Sequence, residues 1–171
     1  LATAISTAIP EAPVMAVVRE VINQVQAHTL ENEDWTEALV DMTLRAGGEV
    51  WAKEGSTSLV ELDSDLIRVA PNTIFTLKRP DEQTRQLDLK EGQIWLNVEG
   101  LQEDEKFEVT TPNLTASVRG TRFSVRVDEN GSSVVSVLVG TVTVSTAAGT
   151  VDVETKGAVA VDASGKISQQ T

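Results

Sequence analysis

The sequence contains no cysteine among its 171 residues. Disulfide cross-links, zinc–thiolate sites and thiol nucleophiles are therefore excluded. Histidine is represented by His28 alone, so a serine–histidine–aspartate triad would have to use it, and nothing near it resembles the nucleophile turn of a hydrolase. We expect His28 to lie in a polar loop with a structural or solvated role. We expect no catalytic residue in the chain.

Aromatic residues are scarce, at 4%, so valine, leucine, isoleucine and threonine must fill the interior. These are mainly strand residues. No apolar run approaches the roughly 18–20 residues of a membrane span, and no basic region followed by an apolar stretch marks a signal peptide. The chain begins with Leu1 rather than methionine, which we interpret as a mature chain whose leader has been removed, although a trimmed chain would begin in the same way. We expect an extracellular or cell-surface location.

Basic residues are in deficit, with 14 lysines and arginines against 26 acidic residues and a formal net charge of −12. Phosphate binding needs clustered lysine and arginine, so nucleic acid and anionic membranes are poor partners. Solubility is the favoured explanation of the acidity, and calcium binding is the alternative. None of the carboxylate clusters has a full calcium loop or a hydrolase frame, so we expect solvated turns, no metal and no cofactor. The clusters are Glu31, Glu33 and Asp34; Asp63 and Asp65; and Glu103, Asp104 and Glu105.

Short alternating segments separated by Gly, Pro, Asn and Asp dominate the chain from residue 58 onwards. Such segments predict strands joined by turns, and Asn130-Gly131 is the strongest hairpin signal among them. The candidate strands are Ser58–Leu62, Leu66–Ala70, Thr73–Lys78, Arg85–Leu89, Gln93–Val98, Lys106–Thr110, Thr115–Arg119, Arg122–Val127, Val134–Val139, Thr141–Ser145, Thr150–Glu154, Ala158–Val161 and Lys166–Ser168.

A loose repeat of strand, glycine bend and alternating strand occurs at residues 89–98, 138–144 and 153–161. Glycine at each bend lets the chain turn sharply. We therefore predict a mainly β fold, built either as a twisted β-sandwich or as a β-helix-like stack of short strands.

The first half of the chain is harder to interpret. Residues 14–27 fit helical spacing through Val14, Val17, Val18, Val21, Ile22 and Val25, but also strand alternation from Val21 to Ala27. Residues 37–44 have the composition of a short helix, which Gly47 and Gly48 would end.

The N-terminal residues 1–9 alternate larger and smaller side chains, as an extended strand would. The larger face carries Leu1, Thr3, Ile5, Thr7 and Ile9. Pro10 and Pro13 stop the pattern, and no turn follows that would fold the segment back as a hairpin. We predict an extended strand or linker over residues 1–13, ahead of a β domain over residues 14–168.

Residues 107–144 carry a pattern that resembles the core of the FecR-type domain. The matching residues are Thr111 and Pro112; Val118, Arg119, Gly120 and Thr121; Phe123; and Gly140, which is followed by an alternating pair of valines. Upstream, Val21 to Ala27 is similar to the opening strand of the family, which often has glycine where Asn23 stands. The resemblance implies a β architecture from about residue 14 to 168, a strand rather than a helix over residues 17–27, and an extracytoplasmic setting.

FecR proteins also have a cytoplasmic anti-sigma region, a membrane span and a receiving domain, and none of these is visible in this sequence. Arg119 and Arg122, on either side of Gly120-Thr121, could form an anion clasp, but we favour their pairing with nearby carboxylates. Trp35, Trp51 and Trp95 could stack on sugar rings, and we favour core or rim anchors instead.

Two functions fit these observations. The first is an extracellular structural subunit that assembles head to tail into a filament or sheath. In this hypothesis, residues 1–9 add a strand to the sheet of the neighbouring subunit, so that the partner is the protein itself. The alternative is a cell-surface or periplasmic binding or signal-sensing module, closer to the usual role of the family.

Overall fold

The chain folds into strands, as predicted. The computed structural model describes residues 13–30, 33–99 and 101–170, and no helix occurs among them. The strands are β1 (Val14–Ile22), β2 (Val25–His28), β3 (Thr36–Glu37), β4 (Thr43–Arg45), β5 (Glu49–Ala52), β6 (Thr57–Leu62), β7 (Asp65–Val69), β8 (Thr73–Asp81), β9 (Thr84–Val98), β10 (Lys106–Thr110), β11 (Thr115–Val118), β12 (Thr121–Val127), β13 (Ser133–Val139), β14 (Thr141–Thr146), β15 (Gly149–Glu154), β16 (Ala158–Val161) and β17 (Ile167–Gln170).

The strands form two sheets that share the long strand β9. Sheet A has the order β4-β1-β6-β7-β9-β12-β13-β16-β17. Sheet B has the order β3-β2-β5-β8-β9-β10-β11-β14-β15. In both sheets the strands before β9 lie on one side of it and the strands after β9 lie on the other.

Strand β9 belongs to both sheets because it bends at Gly92. Its first half pairs with β8 and β10 in sheet B, and its second half pairs with β7 and β12 in sheet A. Gly92 has a φ of 94°, and a Cβ atom there would lie 2.6 Å from the carbonyl oxygen of Asn72. Only glycine fits this bend without strain.

The glycines of the sequence repeat mark places where the chain passes between the sheets. Gly92 lies within β9, Gly140 lies between β13 and β14, and Gly157 lies between β15 and β16. All the strand pairings found within the described residues are antiparallel, except that of β9 with β10. A β-helix would stack its rungs in parallel. The antiparallel pattern therefore favours the β-sandwich over the β-helix-like stack, the two architectures predicted from the sequence.

One hydrophobic core lies between the sheets, and strand alternation supplies it. In β6, Ser58, Val60 and Leu62 are buried while the residues between them are partly exposed. Phe75 and Phe107 are fully buried in the same core, which is otherwise mostly aliphatic. Fully burying one valine, leucine or isoleucine side chain contributes about 1.5–3 kcal/mol, so a core poor in aromatics still holds the sheets together.

The strand interpretation of residues 17–27 is confirmed, because β1 and β2 occupy it on either side of Asn23. Asn23 has a φ of 63°, a left-handed conformation that glycine and asparagine adopt more readily than other residues.

The helix suggested for residues 37–44 is absent, and that prediction is wrong. Apart from one turn, in which Met42 N donates to Leu39 O at 3.0 Å, the backbone of this segment bonds to neighbouring strands: Ala38 N donates to Val25 O at 2.9 Å and Asp41 N to Val18 O at 2.8 Å. Asp41, with a φ of 71°, also interrupts any helical run.

The N-terminal assembly strand predicted over Leu1, Thr3, Ile5, Thr7 and Ile9 lies outside the described residues. The division into segments 1–13 and 14–168 therefore stays a prediction. Within the described residues, no helix is long and apolar enough to cross a membrane.

Candidate functional site

Thr111 and Asn113 form a hydrogen-bonded clamp at one end of the sandwich. The fully buried Ser133 donates to Thr111 Oγ1 at 3.0 Å or to Asn113 Oδ1 at 2.6 Å. Asn113 Nδ2 lies 2.9 Å from Val161 O and 2.8 Å from Asp162 O. The clamp joins the β10–β11 turn to β13 and to the end of β16. Thr111 of the family motif therefore has a structural role, and the neighbouring Pro112 is exposed.

The rest of the motif forms a corner where two passages between the sheets lie side by side. Val118, Thr121 and Phe123 are buried, and Thr121 Oγ1 donates to Thr141 O at 3.3 Å. Gly140 has a φ of 104°, and a Cβ atom there would lie 2.8 Å from Gly120 O. Gly140 is thus required for the two passages to approach each other. We call residues 118–121 and 139–141 the motif corner.

Gly120 differs from Gly140 in its surroundings. Its φ is not positive, and a Cβ atom at this position would meet no atom within 4 Å. The fold itself therefore places no steric demand for glycine at Gly120. A small residue there leaves the backbone of the motif corner open to close approach from outside.

Arg119 and Arg122 are exposed, and the side chain of neither makes a hydrogen bond or ion pair with any described residue. The carboxylate pairing favoured from the sequence is not found. Other cations are paired: Arg19 lies 3.0 Å from Asp41, and Lys78 lies 3.1 Å from Asp88. In a chain with a net charge of −12, Arg119 in the motif corner and Arg122 next to it are thus two positive side chains without an ion-pair partner among the described residues.

Two open grooves adjoin the motif corner. The first has a volume of about 850 Å³, and Arg119, Gly120 and Thr141 line it together with Glu103, Asp104 and Lys106. The second has a volume of about 360 Å³ and lies on the outer face of sheet A. We call it the Trp95 groove; it is lined by Trp95, Leu96, Arg122, Phe123, Ser124, Ser136, Val137 and Leu138.

A β-bulge beside the Trp95 groove turns Val139 outward, next to Leu138, which already faces outward with Ser136. Arg122 pairs with Val139 and Phe123 with Val137, which leaves Leu138 without a partner residue in β12. Leu138 and Val139 are both exposed, at 63% and 51%, and Trp95 is exposed at 44%. Regular alternation would have buried one of the two bulge residues.

His28 is buried at the end of β2, so the prediction of a polar loop is wrong. Its Nδ1 lies 2.7 Å from Leu30 O and its Nε2 lies 3.0 Å from Glu49 Oε1. Burial tends to raise the pKa of Glu49, but hydrogen bonds from Lys90, Thr76 and His28 hold it below its ordinary value of 4.5. Because both ring nitrogens are engaged, His28 serves this network, in keeping with the structural role expected for it.

Asp63, Asp65 and Glu105, which the sequence offered as carboxylate clusters, surround Arg85. Arg85 lies 3.1 Å from Asp63, 3.2 Å from Asp65 and 2.6 Å from Glu105. Asp65 is fully buried, and this burial raises its pKa. The carboxylates therefore neutralise a guanidinium. Across the described part of the chain, no group of three acidic or histidine side chains could hold a metal ion.

The tryptophans do not form one row. Trp35 contacts both His28 and Trp51 edge to face, at ring-centroid distances of 4.7 Å and 5.6 Å. Lys53 Nζ lies 4.7 Å from the ring centroid of Trp51. This cluster belongs to sheet B, whereas Trp95 lies in the sheet A half of β9.

The family model of the FecR protein matches residues 48–143, which include β5 through β13 and the motif corner. The chain belongs to the FecR family. This confirms the resemblance seen in the sequence. FecR-like proteins are of a regulatory, non-catalytic kind.

Solved structures with the same fold exist. Two crystal structures of a candidate anti-sigma factor from Parabacteroides distasonis ATCC 8503, at 2.50 Å and 1.65 Å resolution, each match with a TM-score of 0.65 and 23% identity. The match covers 72% of this chain and 59% of that chain, so this chain spans less than two thirds of its length. At this identity, the likeness shows the fold alone. No curated protein matches the sequence.

These findings overturn the filament hypothesis. Membership of the FecR family supports the alternative, a signal-sensing module, and not a subunit that polymerises by strand addition. The prediction of the protein itself as partner is wrong for the same reason. The inference failed because an alternating segment such as residues 1–9 suits any extended chain and does not specify what the chain pairs with.

Sequence reasoning found the motif corner but missed the Trp95 groove. The sequence did contain a signal, because Leu138 and Val139 are consecutive apolar residues at the end of an alternating strand.

Proposed function

We propose that the chain is a non-catalytic, extracytoplasmic signal-sensing module, which acts by binding a partner protein. The observation that carries this proposal is the FecR family match over residues 48–143. Its output would be regulation of transcription, the process in which an anti-sigma factor such as the structural relative from Parabacteroides distasonis acts.

The geometry supports binding rather than chemistry. The ring nitrogens of His28 are engaged by Leu30 and Glu49, and Ser133 is buried in the Asn113 clamp. In contrast, the motif corner and the adjoining Arg122 offer two exposed arginine side chains without a described partner, and an open backbone at Gly120. Exposed residues held on a rigid scaffold are the usual means of recognition.

Deleting the gene in its natural host and comparing transcript levels tests this proposal. We expect the levels of a small set of operons to change several-fold, and to return to normal when the wild-type gene is restored. Unchanged transcripts in the deletion strain, under conditions in which the protein is produced, would contradict a signalling role.

A further inference from the structure

The Trp95 groove combines apolar surface with one free positive charge. Among the described residues, Arg122 is the only charged one in its lining, and no carboxylate lines it. The chain as a whole carries 26 acidic residues, so a groove without a carboxylate differs from the surrounding surface. Trp95 and Leu138 provide the apolar part and Ser124 and Ser136 the polar floor.

Apolar side chains are exposed in this groove and directly beside it, at Val139. A regular β13 would turn one of Leu138 and Val139 inward, but the bulge leaves both outward. Arg122 is also left without the carboxylate partner that Arg126, four residues further along β12, finds in Asp128 at 2.8 Å. Exposed apolar residues next to an unpaired arginine are typical of binding surfaces, which are enriched in tryptophan and arginine.

We propose that the Trp95 groove binds an acidic peptide segment of a partner protein, in which a carboxylate neighbours an aliphatic or aromatic side chain. This rests on the proposed function and names the chemistry of the partner. The planar guanidinium of Arg122 can bind a carboxylate through two parallel hydrogen bonds. The apolar side chain of the peptide packs against Trp95 and Leu138, from which it displaces water.

Charge favours an acidic peptide over a second copy of this chain as the occupant of the groove. A second copy of this chain would bring the same net charge of −12 and the same unpaired Arg122 to the contact, and like charges facing each other across an interface are costly. For an acidic segment, the rest of the surface is repulsive and the groove is not. This contrast directs the segment to the Trp95 groove.

A labelled model peptide tests the proposal in solution. The probe is a fluorescein-tagged Asp-Leu-Asp-Phe-Asp-Leu peptide, titrated with the purified chain and followed by fluorescence anisotropy. Two matched peptides serve as controls, one with lysine in place of each aspartate and one with serine in place of each apolar residue. We expect the acidic–apolar peptide to bind at least about tenfold more tightly than either control, because both kinds of contact contribute.

Variants of the chain locate the binding site. We expect Arg122→Glu to weaken binding by about tenfold and Leu138→Ser by about fivefold. Arg79→Glu in sheet B makes the same charge change at another exposed arginine, and Leu39→Ser changes a leucine of equal exposure, 64%. Both control variants should bind as the wild type does. Equal effects of Arg79→Glu and Arg122→Glu, or equal binding of the three peptides, would overturn the proposal.

Two further measurements separate this proposal from the other occupants and from the proposed function. We expect sedimentation of the free chain to show no self-association through the groove. If the wild-type chain self-associates and Leu138→Ser abolishes that association, the occupant is a second copy and the peptide proposal is wrong. In the deletion strain, a gene carrying Arg122→Glu should fail to restore the transcripts. Full restoration by this variant would contradict peptide binding in the groove while leaving the signalling role intact. If the peptide binds but deletion of the gene changes no transcript, the signalling role is contradicted and the groove proposal stands.

Discussion

At the scale of single residues, the glycines of the fold differ in what they tolerate. A Cβ atom at Gly92 would lie 2.2 Å from Thr73 Oγ1 and 2.6 Å from Asn72 O, in a backbone with a φ of 94°. At Gly120 it would meet nothing within 4 Å. The first glycine is therefore required by the bend in β9, whereas the second is not required by the fold at all.

We expect Gly92→Ala to lower the free energy of unfolding by about 2 kcal/mol or more, because the backbone of residue 72 cannot move away without disturbing β8. Gly120→Ala is the matched control and should change it by less than about 0.5 kcal/mol. Urea denaturation of both variants measures the difference. Similar midpoints for the two would show that the bend at Gly92 adapts to a side chain.

Some of these residue roles could be predicted from the sequence and others could not. Asn23 stands where the family often has glycine, and its φ of 63° explains why. The clamp of Asn113 could not be foreseen, because its partners Val161 and Asp162 lie almost 50 residues away along the chain. A hydrogen bond between residues so far apart in the chain depends on the order of strands in the sheets, and the local sequence pattern does not contain that order.

At the scale of elements, one polar network joins four strands of sheet B. Glu49 of β5 accepts hydrogen bonds from Thr76 of β8 at 2.8 Å and from Lys90 of β9 at 2.7 Å, and it lies 3.0 Å from His28 of β2. These bonds lower the pKa of Glu49 against the opposing effect of its burial. The network therefore stabilises the sheet more when Glu49 is ionised than when it is protonated.

We expect Glu49→Gln to lower the free energy of unfolding by about 1–3 kcal/mol at neutral pH, since three polar groups lose an ionised partner. A carboxyl group whose pKa falls on folding contributes stability above its ordinary value of 4.5 and loses it as the pH drops through the lower folded value. The difference between wild type and variant should therefore shrink in acid. Urea denaturation at a series of pH values checks this, and a difference independent of pH would contradict it.

Strand alternation predicted most elements from β6 onwards, but it divided β9 in two. Glu91-Gly92 has the composition of a turn, and the predicted strands Arg85–Leu89 and Gln93–Val98 were placed on either side of it. In the fold, β9 runs from Thr84 to Val98 without a turn, because Thr73 packs against Gly92 and accepts a hydrogen bond from Gln93 N at 3.1 Å. The bend at Gly92 depends on a tertiary contact with Thr73. The composition of residues 91–92 does not distinguish such a bend from a turn.

At the scale of the whole molecule, β9 makes one cooperative unit of the two sheets. The strands on either side of it share its hydrogen bonds and the single core. We expect tryptophan fluorescence, which reports on Trp35, Trp51 and Trp95, to show the same urea midpoint as far-ultraviolet circular dichroism. Separate transitions would show that the parts on the two sides of β9 unfold independently.

The function of the whole molecule was the least predictable from its sequence. The motif around Arg119-Gly120-Thr121 identified the family, whose match extends over residues 48–143. The filament hypothesis instead relied on residues 1–9, a segment of nine residues with little information beyond its alternation. A motif that extends over several strands and identifies a family carries more functional information than a short alternating segment that is compatible with many folds.

The central position of β9 also has a consequence for how the chain matures. Because β1 to β8 lie on one side of this strand in both sheets, the first half of the fold can assemble while the rest of the polypeptide is still emerging from the ribosome or a secretion channel. The two free edges of β9 then act as templates, one for β10 and one for β12. From β3 onwards, each strand pairs with at least one strand that precedes it in the chain, so vectorial synthesis can add the strands in their chain order.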